Sequence, residues 1–382
     1  MPASPRHRAA TRSGALAVVV GSVALAACGS GSASVQTTRP TVRPADPVTT
    51  TTAAPAGGPT TTVPSGGGPT ATVPAGNGAS RSGTSRGPLP VPAALAPFDA
   101  LATPGEGEWH GAGRLIDGVP AVYETTLVPP GGTEPAGLAW LDTHLLVARL
   151  YSGSLSPGGG PYRYTAPVQP ADAATLVAAF NGGFLMADAG GGYYTEGKVV
   201  VPLVSGAASL VIRADGSVDV GAWGTDVAMG PDVVAVRQNL VPLVANGLPT
   251  AVATGLDWQA WGNTCGATSC AHSVPGVEQQ WRSGVGVTAT GALVYAAGPQ
   301  LTPAQLAQLL VHAGSVRAME LDINPSWTVL ATYDPIVAGG AATPLDGARL
   351  LPGMVQGPAT FFEPWWARDF VTMSVRPASG AQ

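Results

Sequence analysis

Short apolar runs separated by glycine and proline dominate the chain from about residue 93 onward. Five runs are rich in β-branched residues, are bounded by turn signals and predict strands: residues 144–152, 175–180, 198–204, 209–223 and 284–298. The last two are long enough to fold back on themselves, and the sequences ADGS and ATGA at their centres predict hairpin turns. The pattern therefore predicts a domain built mostly of β-structure.

One segment, TPAQLAQLLVHAG at residues 302–314, has helical periodicity. Thr302 is suited to the N-cap, Pro303 to the first helical position, and Gln305 completes a capping box. Three leucines form one apolar stripe, and Gly314 can end the helix. With a strand at 292–297 before it and a strand at 316–323 after it, this helix predicts a strand-helix-strand crossover with parallel strands. The predicted fold class is α+β: a mixed, largely β domain with a few helices.

The second crossover strand alternates between apolar and polar residues. Its apolar positions share one face: Met319, Leu321 and Ile323. Its polar positions share the other: Glu320, Asp322 and Asn324. Two carboxylates spaced in this way can flank one reacting group, as in glycoside hydrolysis, and they lie at the carboxyl end of a strand, where ligands usually bind. The alternative is an ordinary solvated strand face.

A second candidate region is glycine-rich: FNGGFLMADAGGGYYTEGK, residues 180–198. Glycine is favoured where the backbone needs a positive φ or a close approach. The Asn181 amide can donate and accept, the N–H groups of Gly182 and Gly183 can form an anion-binding concavity, and Tyr194 offers a flat face with a hydroxyl. The alternative is a plain hairpin loop.

Near the start of the chain, Arg6, Arg8 and Arg12 precede an uncharged apolar run from residue 14 to residue 27. This arrangement is typical of an export signal. Small residues followed by Cys28 predict a lipoprotein signal peptide over 1–27, lipidation of Cys28 and anchoring to the outer face of a bacterial cell membrane. An ordinary signal peptide with a chance cysteine is the alternative. Residues 28–92 are rich in Ser, Thr, Pro and Gly, and predict a disordered tether before the domain at 93–382.

Charge and cysteine content limit the partners. Residues 88–382 contain 22 acidic against 11 basic residues, which argues against binding of nucleic acid. Cys265 and Cys270 lie close together in an exported chain and predict a disulfide; zinc binding with His272 is the alternative. The sequence requires no cofactor, but Glu320, Asp322 and Asn324 are oxygen ligands that leave a site for Ca²⁺ or Mg²⁺ open. Motifs typical of serine or zinc peptidases, P-loop proteins and dinucleotide-binding proteins are absent from the domain sequence.

Several motifs, taken in order, resemble the phosphodiester glycosidase family: VAAFNGGF (177–184), TEGKVV (195–200), WRSGVGV (281–287), LAQLLVHAG (306–314) and AMELDINPS (318–326). The resemblance implies hydrolysis of the bond between a sugar anomeric carbon and a phosphate. Asn181, Gly182 and Gly183 match the family's NGG, Arg282 its arginine, and Asp322 the aspartate of its LDGGGS segment. Two departures are Leu185, where a second Phe is usual, and DINPS in place of DGGGS.

These residues give a functional hypothesis of a surface-tethered hydrolase of sugar-1-phosphodiesters in envelope glycans. Asp322 and Glu320 would act as general acid and base or nucleophile, while Arg282 and the 181–183 turn would hold the phosphate. Trp327 would stack on a sugar ring. Structural alternatives are an ion pair for Arg282 and a core position for Trp327. At the level of function, the alternatives are a non-catalytic glycan-binding or a structural envelope lipoprotein.

Overall fold

The computed structural model describes residues 87–99, 103–255, 261 and 278–378. The predicted signal peptide, Cys28, most of the predicted tether, and Cys265, Cys270 and His272 lie outside these residues. None of the helices within the described ranges has the length and apolarity that crossing a bilayer requires.

Three antiparallel sheets form the domain. The strands of the largest sheet are β1 (His110–Ile116), β2 (Val119–Leu127), β3 (Ala136–Leu141), β11 (Val244–Ala245), β12 (Leu248–Pro249), β13 (Gln280–Thr288), β14 (Leu293–Leu301) and β15 (Ser315–Glu320). They are ordered β1-β2-β3-β14-β13-β15-β11-β12. The long hairpin β13–β14 lies at the centre of this sheet, and β13 also pairs with β15.

The other two sheets have five strands each. One contains β4 (Leu146–Tyr151), β5 (Leu176–Asn181), β16 (Leu330–Tyr333), β17 (Gly347–Arg349) and β18 (Phe370–Val375), ordered β17-β16-β5-β18-β4. The other contains β6 (Tyr193–Thr195), β7 (Lys198–Val201), β8 (Ala208–Arg213), β9 (Val218–Ala222) and β10 (Val233–Gln238), ordered β7-β6-β10-β8-β9. The helices are short: α1 (Pro170–Ala173), α2 (Ala251–Thr254), α3 (Pro303–His312) and two 3₁₀ turns at Pro344–Asp346 and Pro358–Phe362. The prediction of a largely β domain with a few helices is confirmed.

The largest sheet is buried on both faces. On one face its alternate residues, such as Val285 and Met319, pack with apolar residues of the other two sheets and form the main core. On the opposite face, residues such as Ala318 and Val294 pack against α3, which buries Leu306. This period-two alternation is what lets one strand supply two cores.

Helix α3 forms as the sequence predicts. The Thr302 side chain accepts from the Gln305 N–H, and the Gln305 side chain accepts from the Thr302 N–H, which completes the capping box. The three leucines of the stripe are fully buried. Gly314 follows the helix with a φ of +91°, a conformation that glycine adopts without strain. The predicted ADGS and ATGA hairpins are also present, as β8–β9 and β13–β14.

The crossover is confirmed with one correction. Strands β14 and β15 are each antiparallel to β13, so they are parallel to each other, and β13 lies between them. The second strand, however, ends at Glu320 and not at residue 323. Beyond it the backbone of Leu321 and Asp322 still bonds to Ser283, but the regular ladder stops. Asp322 therefore lies just past the strand, and the predicted alternation does not extend to Asn324.

Candidate functional site

Four loops meet at one edge of the sheet that contains β5 and β18. Phe370, at the start of β18, pairs with Tyr151 at the end of β4 and with Asn181 at the end of β5. Strand β16 begins beside the end of β5, so the segment before it, 321–329, reaches the same edge. We call these four loops together the loop edge: segments 152–156, 182–186, 321–329 and 363–369. Asp322 lies in one of these loops.

Asp322 is 1% exposed and is held by the backbone around it. Its N–H donates to Ser283 Oγ at 3.1 Å, and its Oδ1 accepts from the Asn324 N–H at 2.9 Å. Its Oδ2 lies 3.5 Å from Arg368 Nη2 and makes no hydrogen bond within the described part of the chain. Burial raises the pKa of Asp322 to about 6, although the positive charge of Arg368 opposes this shift.

Arg368 is the cation beside Asp322, and it too has an unused atom. Its guanidinium lies over the Trp327 ring, 4.9 Å from the ring centroid. Its Nη1 is buried and has no hydrogen-bond partner among the described residues. A buried donor or acceptor without a partner costs about 1–3 kcal/mol. An unpaired donor beside an unpaired carboxylate oxygen therefore marks the position where a ligand or water with complementary atoms would bind.

A second, tighter pair lies beneath the glycine-rich turn. Arg237 Nε donates to Asp369 Oδ2 at 2.8 Å, and both side chains are at most 2% exposed. A Cβ on Gly182 would come within 2.1 Å of the Asp369 carboxylate, and a Cβ on Gly183 within 2.9 Å of the Arg237 guanidinium. The glycines therefore admit polar groups of the protein itself. This packing alone accounts for both glycines, and the close approach of a ligand to them stays a prediction.

Asn181 is fully used as a crosslink. Its Nδ2 donates to Gly182 O at 2.8 Å and to Ser283 Oγ at 3.1 Å. Its Oδ1 accepts from the Tyr295 hydroxyl at 2.8 Å and from the Val329 N–H at 3.1 Å. Asn181 thus joins three elements around Asp322, and its amide atoms are committed to the protein. Its contribution to the site is to fix the loops.

The other predicted pair, Glu320 and Arg282, is completely enclosed. Their side chains are 0% exposed, and Arg282 Nη1 donates to Glu320 Oε1 at 2.7 Å. The remaining N–H groups of Arg282 donate to backbone oxygens, including Leu301 O and Glu278 O, both at 2.8 Å. Burial raises the pKa of Glu320 to about 7 against the effect of Arg282. Arg282 is therefore in the structural ion pair that the sequence leaves as the alternative, and each of its side-chain nitrogens already donates a hydrogen bond within the protein.

The remaining predicted residues divide between the site and other regions. Trp327 is half-buried at the loop edge beneath Arg368. Asn324 is exposed beside Asp322. Tyr194 packs in a separate valine-rich cluster on the far face of β6. Successive side chains of a strand point to opposite faces, and it is Tyr193 that points into the main core. The Tyr193 hydroxyl lies 3.1 Å from Ser152 Oγ, and burial, followed by the charge of Asp369, raises its pKa.

Four residues that complete the site are not among the sequence-predicted ones: Arg237, Asn239, Arg368 and Asp369. Asn239 donates to the carbonyl oxygens of Glu320 and Leu321, both at 3.0 Å, and so holds the backbone before Asp322. The one sequence signal for the last two is the charged pair Arg-Asp inside the apolar, aromatic stretch FFEPWWARDF.

No group of three His, Cys, Asp or Glu side chains that could hold a metal ion occurs in the described ranges. A Ca²⁺ or Mg²⁺ ion at Asp322 stays a prediction, with Glu320 already bound to Arg282. Two surface cavities of about 270 and 240 Å³ lie elsewhere, and neither is lined by Asp322.

Residues 174–354 match the family model for phosphodiester glycosidases. The match confirms, over this part of the chain, the resemblance to the phosphodiester glycosidase family that the sequence motifs indicate. A search of curated proteins gave no match. The matched region contains Asn181, Arg237 and Asp322, whereas Arg368 and Asp369 lie beyond its end.

Solved structures give distant matches. One is the zebrafish N-acetylglucosamine-1-phosphodiester alpha-N-acetylglucosaminidase catalytic domain, auto-inhibited by its pro-peptide, with 16% identity and a TM-score of 0.38, covering 71% of this chain and 88% of that one. Another is a hypothetical protein from Synechocystis, with 11% identity and a TM-score of 0.34, covering 68% of this chain and 63% of that one.

Proposed function

We propose that this phosphodiester glycosidase domain hydrolyses the bond between a sugar anomeric carbon and a phosphodiester. The observation that carries the proposal is the pair of atoms at the loop edge, Asp322 Oδ2 and Arg368 Nη1, that have no hydrogen-bond partner among the described residues. A carboxylate and a guanidinium in contact match the two charges of the reaction, a developing oxocarbenium centre and a phosphate leaving group.

The proposed mechanism requires one carboxylate. The anomeric C–O bond breaks and its electron pair leaves with the phosphate oxygen, so the leaving group departs as a stable anion without a proton. Asp322 stabilises the positive charge on the sugar, either by its field or by a covalent bond that water then cleaves. Water supplies the hydroxyl that ends on the anomeric carbon, and its other proton passes to the solvent. Arg368 holds the phosphate. Glu320 and Arg282 support the backbone of this region as a buried ion pair at the end of β15.

Substrate entry is coupled to the ion pair. Asp322 is 1% exposed and faces Arg368 at 3.5 Å. A phosphate that binds Arg368 competes with Asp322 for the guanidinium, and the carboxylate is then released toward the sugar. The loose geometry of the pair favours this exchange, because little hydrogen-bond energy is lost when it separates.

The predicted lipid anchor and tether support a location on the outer face of the membrane, where the substrates would be carbohydrate phosphodiesters of the envelope. A non-catalytic glycan-binding protein is the second candidate. Its supporting observations are the burial of Asp322 and the DINPS sequence in place of DGGGS.

The test uses the chain from residue 29 onward, with a panel of sugar-1-phosphodiesters that includes a GlcNAc-1-phosphodiester, and detects the free sugar by mass spectrometry. We expect turnover in the wild type, and a loss of at least about 100–1000-fold in kcat for Asp322→Asn, which keeps the shape and removes the charge. Asp117→Asn, an exposed turn residue, is the matched control. Glycan binding without turnover across the panel would instead establish the second candidate.

A further inference from the structure

The loop between β16 and β17, residues 334–346, exposes three aliphatic side chains. Ile336 is 86% exposed, Val337 72% and Leu345 90%. The stretch PIVAGGAATPL, residues 335–345, contains no charged residue. Single exposed apolar side chains are ordinary, but three on one uncharged loop are typical of a surface that binds a partner. We call residues 334–346 the apolar loop.

The apolar loop is tied to the domain, and its two arms lie side by side. Asp346 Oδ1 accepts from the Ile336 N–H at 3.2 Å, so Ile336 lies beside the arm that carries Leu345. Between the arms, Ala342 is 3% exposed, and its N–H donates to Ala173 O at 2.8 Å. The exposure of the three aliphatic side chains is therefore a feature of an ordered loop.

The apolar loop lies at the end of its sheet opposite to the loop edge. Strand β16 runs antiparallel to β5, with Leu330 opposite Phe180 and Thr332 opposite Ala178. The loop edge contains the segment that follows the end of β5. The apolar loop, which follows the end of β16, therefore lies beside the start of β5.

The chain enters the domain at this same far end. Gly87 O lies 3.0 Å from His144 Nδ1, just before β4 begins. In β4, Leu146 is at the far end of the sheet, opposite the last residue of β18, whereas Tyr151 is at the loop edge. The segment that links the domain to the predicted lipidation site, Cys28, thus joins it on the side away from the loop edge.

We propose that the apolar loop is a membrane-contact surface, and that Ile336, Val337 and Leu345 insert at the boundary between the lipid headgroups and the acyl chains. The membrane is the one that carries the predicted anchor. The loop edge then faces away from the bilayer, toward the surrounding envelope. This inference goes beyond the proposed function and does not depend on it, because it concerns the opposite end of the sheet.

Tethering makes a small insertion sufficient. Binding at a membrane interface scales with the buried apolar area, so three aliphatic side chains alone bind weakly. A flexible linker of 58 residues, the number from 29 to 86, would keep the domain within about 40–45 Å of its anchor. That distance corresponds to an effective concentration in the millimolar range, at which a weak contact is occupied.

The loop edge is the competing membrane-facing surface, because it also exposes apolar side chains. Leu155 is 73% exposed, Trp365 59% and Leu185 42%. Each of them lies on a different loop, and the segment that carries Trp365, EPWWARD, contains three charged residues. Insertion of that segment would remove charges from water, which is costly. The entry of the chain at the opposite end also disfavours this orientation.

The test measures binding of the chain from residue 29 onward to phosphatidylcholine–phosphatidylglycerol vesicles by sedimentation. This chain lacks the predicted lipidation site and keeps every residue that the structure describes. Salt at about 0.5 M screens the repulsion between the acidic domain and the anionic lipid. We expect the partition coefficient of Ile336→Ser/Val337→Ser/Leu345→Ser to be about 10–100-fold below that of the wild type, because the inserted apolar area is lost.

Two controls accompany the serine variant. Ile336→Leu/Val337→Leu/Leu345→Ile keeps the apolar area and should bind as the wild type does. Leu155→Ser removes an aliphatic side chain of similar exposure from the loop edge and should also keep full binding. Thermal unfolding of each variant verifies that it is folded, which we expect because all the substituted side chains are exposed.

Each outcome decides the proposal. Equal binding by the wild type and the triple serine variant would overturn it. A loss confined to Leu155→Ser would assign membrane contact to the loop edge instead. A smaller assembly of the triple serine variant in vesicle-free solution, with lipid binding unchanged, would assign the apolar loop to a second copy of the chain.

A second measurement decides if the wild-type chain binds vesicles too weakly for sedimentation. The chain is attached through a His tag placed before residue 29 to vesicles that contain a nickel-chelating lipid, which restores the tethered geometry. Backbone hydrogen exchange then reports contact of residues 336–345 with the bilayer. Slower exchange there than in the chain without vesicles, absent from the triple serine variant, supports the proposal, and unchanged exchange overturns it.

Discussion

Two acidic residues of one segment, Glu320 and Asp322, each form a buried pair with an arginine. The two pairs differ in how many of their polar atoms have a hydrogen-bond partner. Glu320 and Arg282 meet at 2.7 Å with both side chains fully enclosed; Glu320 Oε2 has no hydrogen-bond partner among the described residues, but each side-chain nitrogen of Arg282 donates a hydrogen bond. Asp322 and Arg368 meet at 3.5 Å, and each keeps a polar atom without a hydrogen-bond partner in the described part of the chain.

The difference separates a structural pair from a candidate catalytic one. Both carboxyl groups have a raised pKa, and burial is the largest cause in each case. A raised pKa alone therefore does not identify the functional acid. What distinguishes Asp322 is the unused hydrogen-bonding capacity on both partners of its pair, at an edge where four loops end.

The largest effect should come from breaking the enclosed pair. Arg282→Met leaves Glu320 buried without its partner, and we expect a loss of about 3–5 kcal/mol in the free energy of unfolding. The double variant Arg282→Met/Glu320→Leu should recover most of it, because no buried charge remains. Denaturant titrations measure both. A stable Arg282→Met protein with weakened phosphate affinity would instead return Arg282 to the phosphate-binding role.

The loose pair should respond in the opposite way. Arg368→Gln removes the proposed phosphate partner, and we expect kcat/KM to fall about 10–100-fold, or about 1.4–2.7 kcal/mol of transition-state stabilisation. Its free energy of unfolding should fall by less than that of Arg282→Met, since the 3.5 Å contact with an unpaired N–H stabilises its carboxylate less than the 2.7 Å bond of the enclosed pair does. Arg163→Gln is the matched control, because Arg163 also lies over an aromatic ring but is exposed. Equal losses in the two variants would contradict a specific role for Arg368.

Local signals predicted the parts of the fold that are local. The capping box of α3, the two hairpins and the inward positions of Met319 and Leu321 depend on neighbours within a few residues, and all are present. The site depends on contacts over long separations. Arg237 and Asp369 are 132 residues apart in the chain, and no periodicity connects them. Spacing placed Glu320 and Asp322 on one face but could not tell which arginine each would meet.

A change of pH should affect the free energy of unfolding and kcat/KM in opposite directions, because ionised Asp322 lowers the first and is required for the second. Its pKa is raised from 3.8 to about 6 by burial, so the folded state binds this proton more tightly than the unfolded state. Ionisation of Asp322 therefore lowers the free energy of unfolding as the pH rises from about 4 to about 6, with no further change above that. At pH values below this pKa, kcat/KM should rise about tenfold per pH unit, because the carboxylate is the active form. It should level off above about pH 6.

Arg368→Gln should move the midpoint of this pH–rate profile upward, since Arg368 is the strongest influence that lowers the pKa of Asp322. A pH–rate profile of both proteins with one substrate measures the shift. A midpoint that does not move would assign the titration to another group and separate Arg368 from the reacting carboxylate.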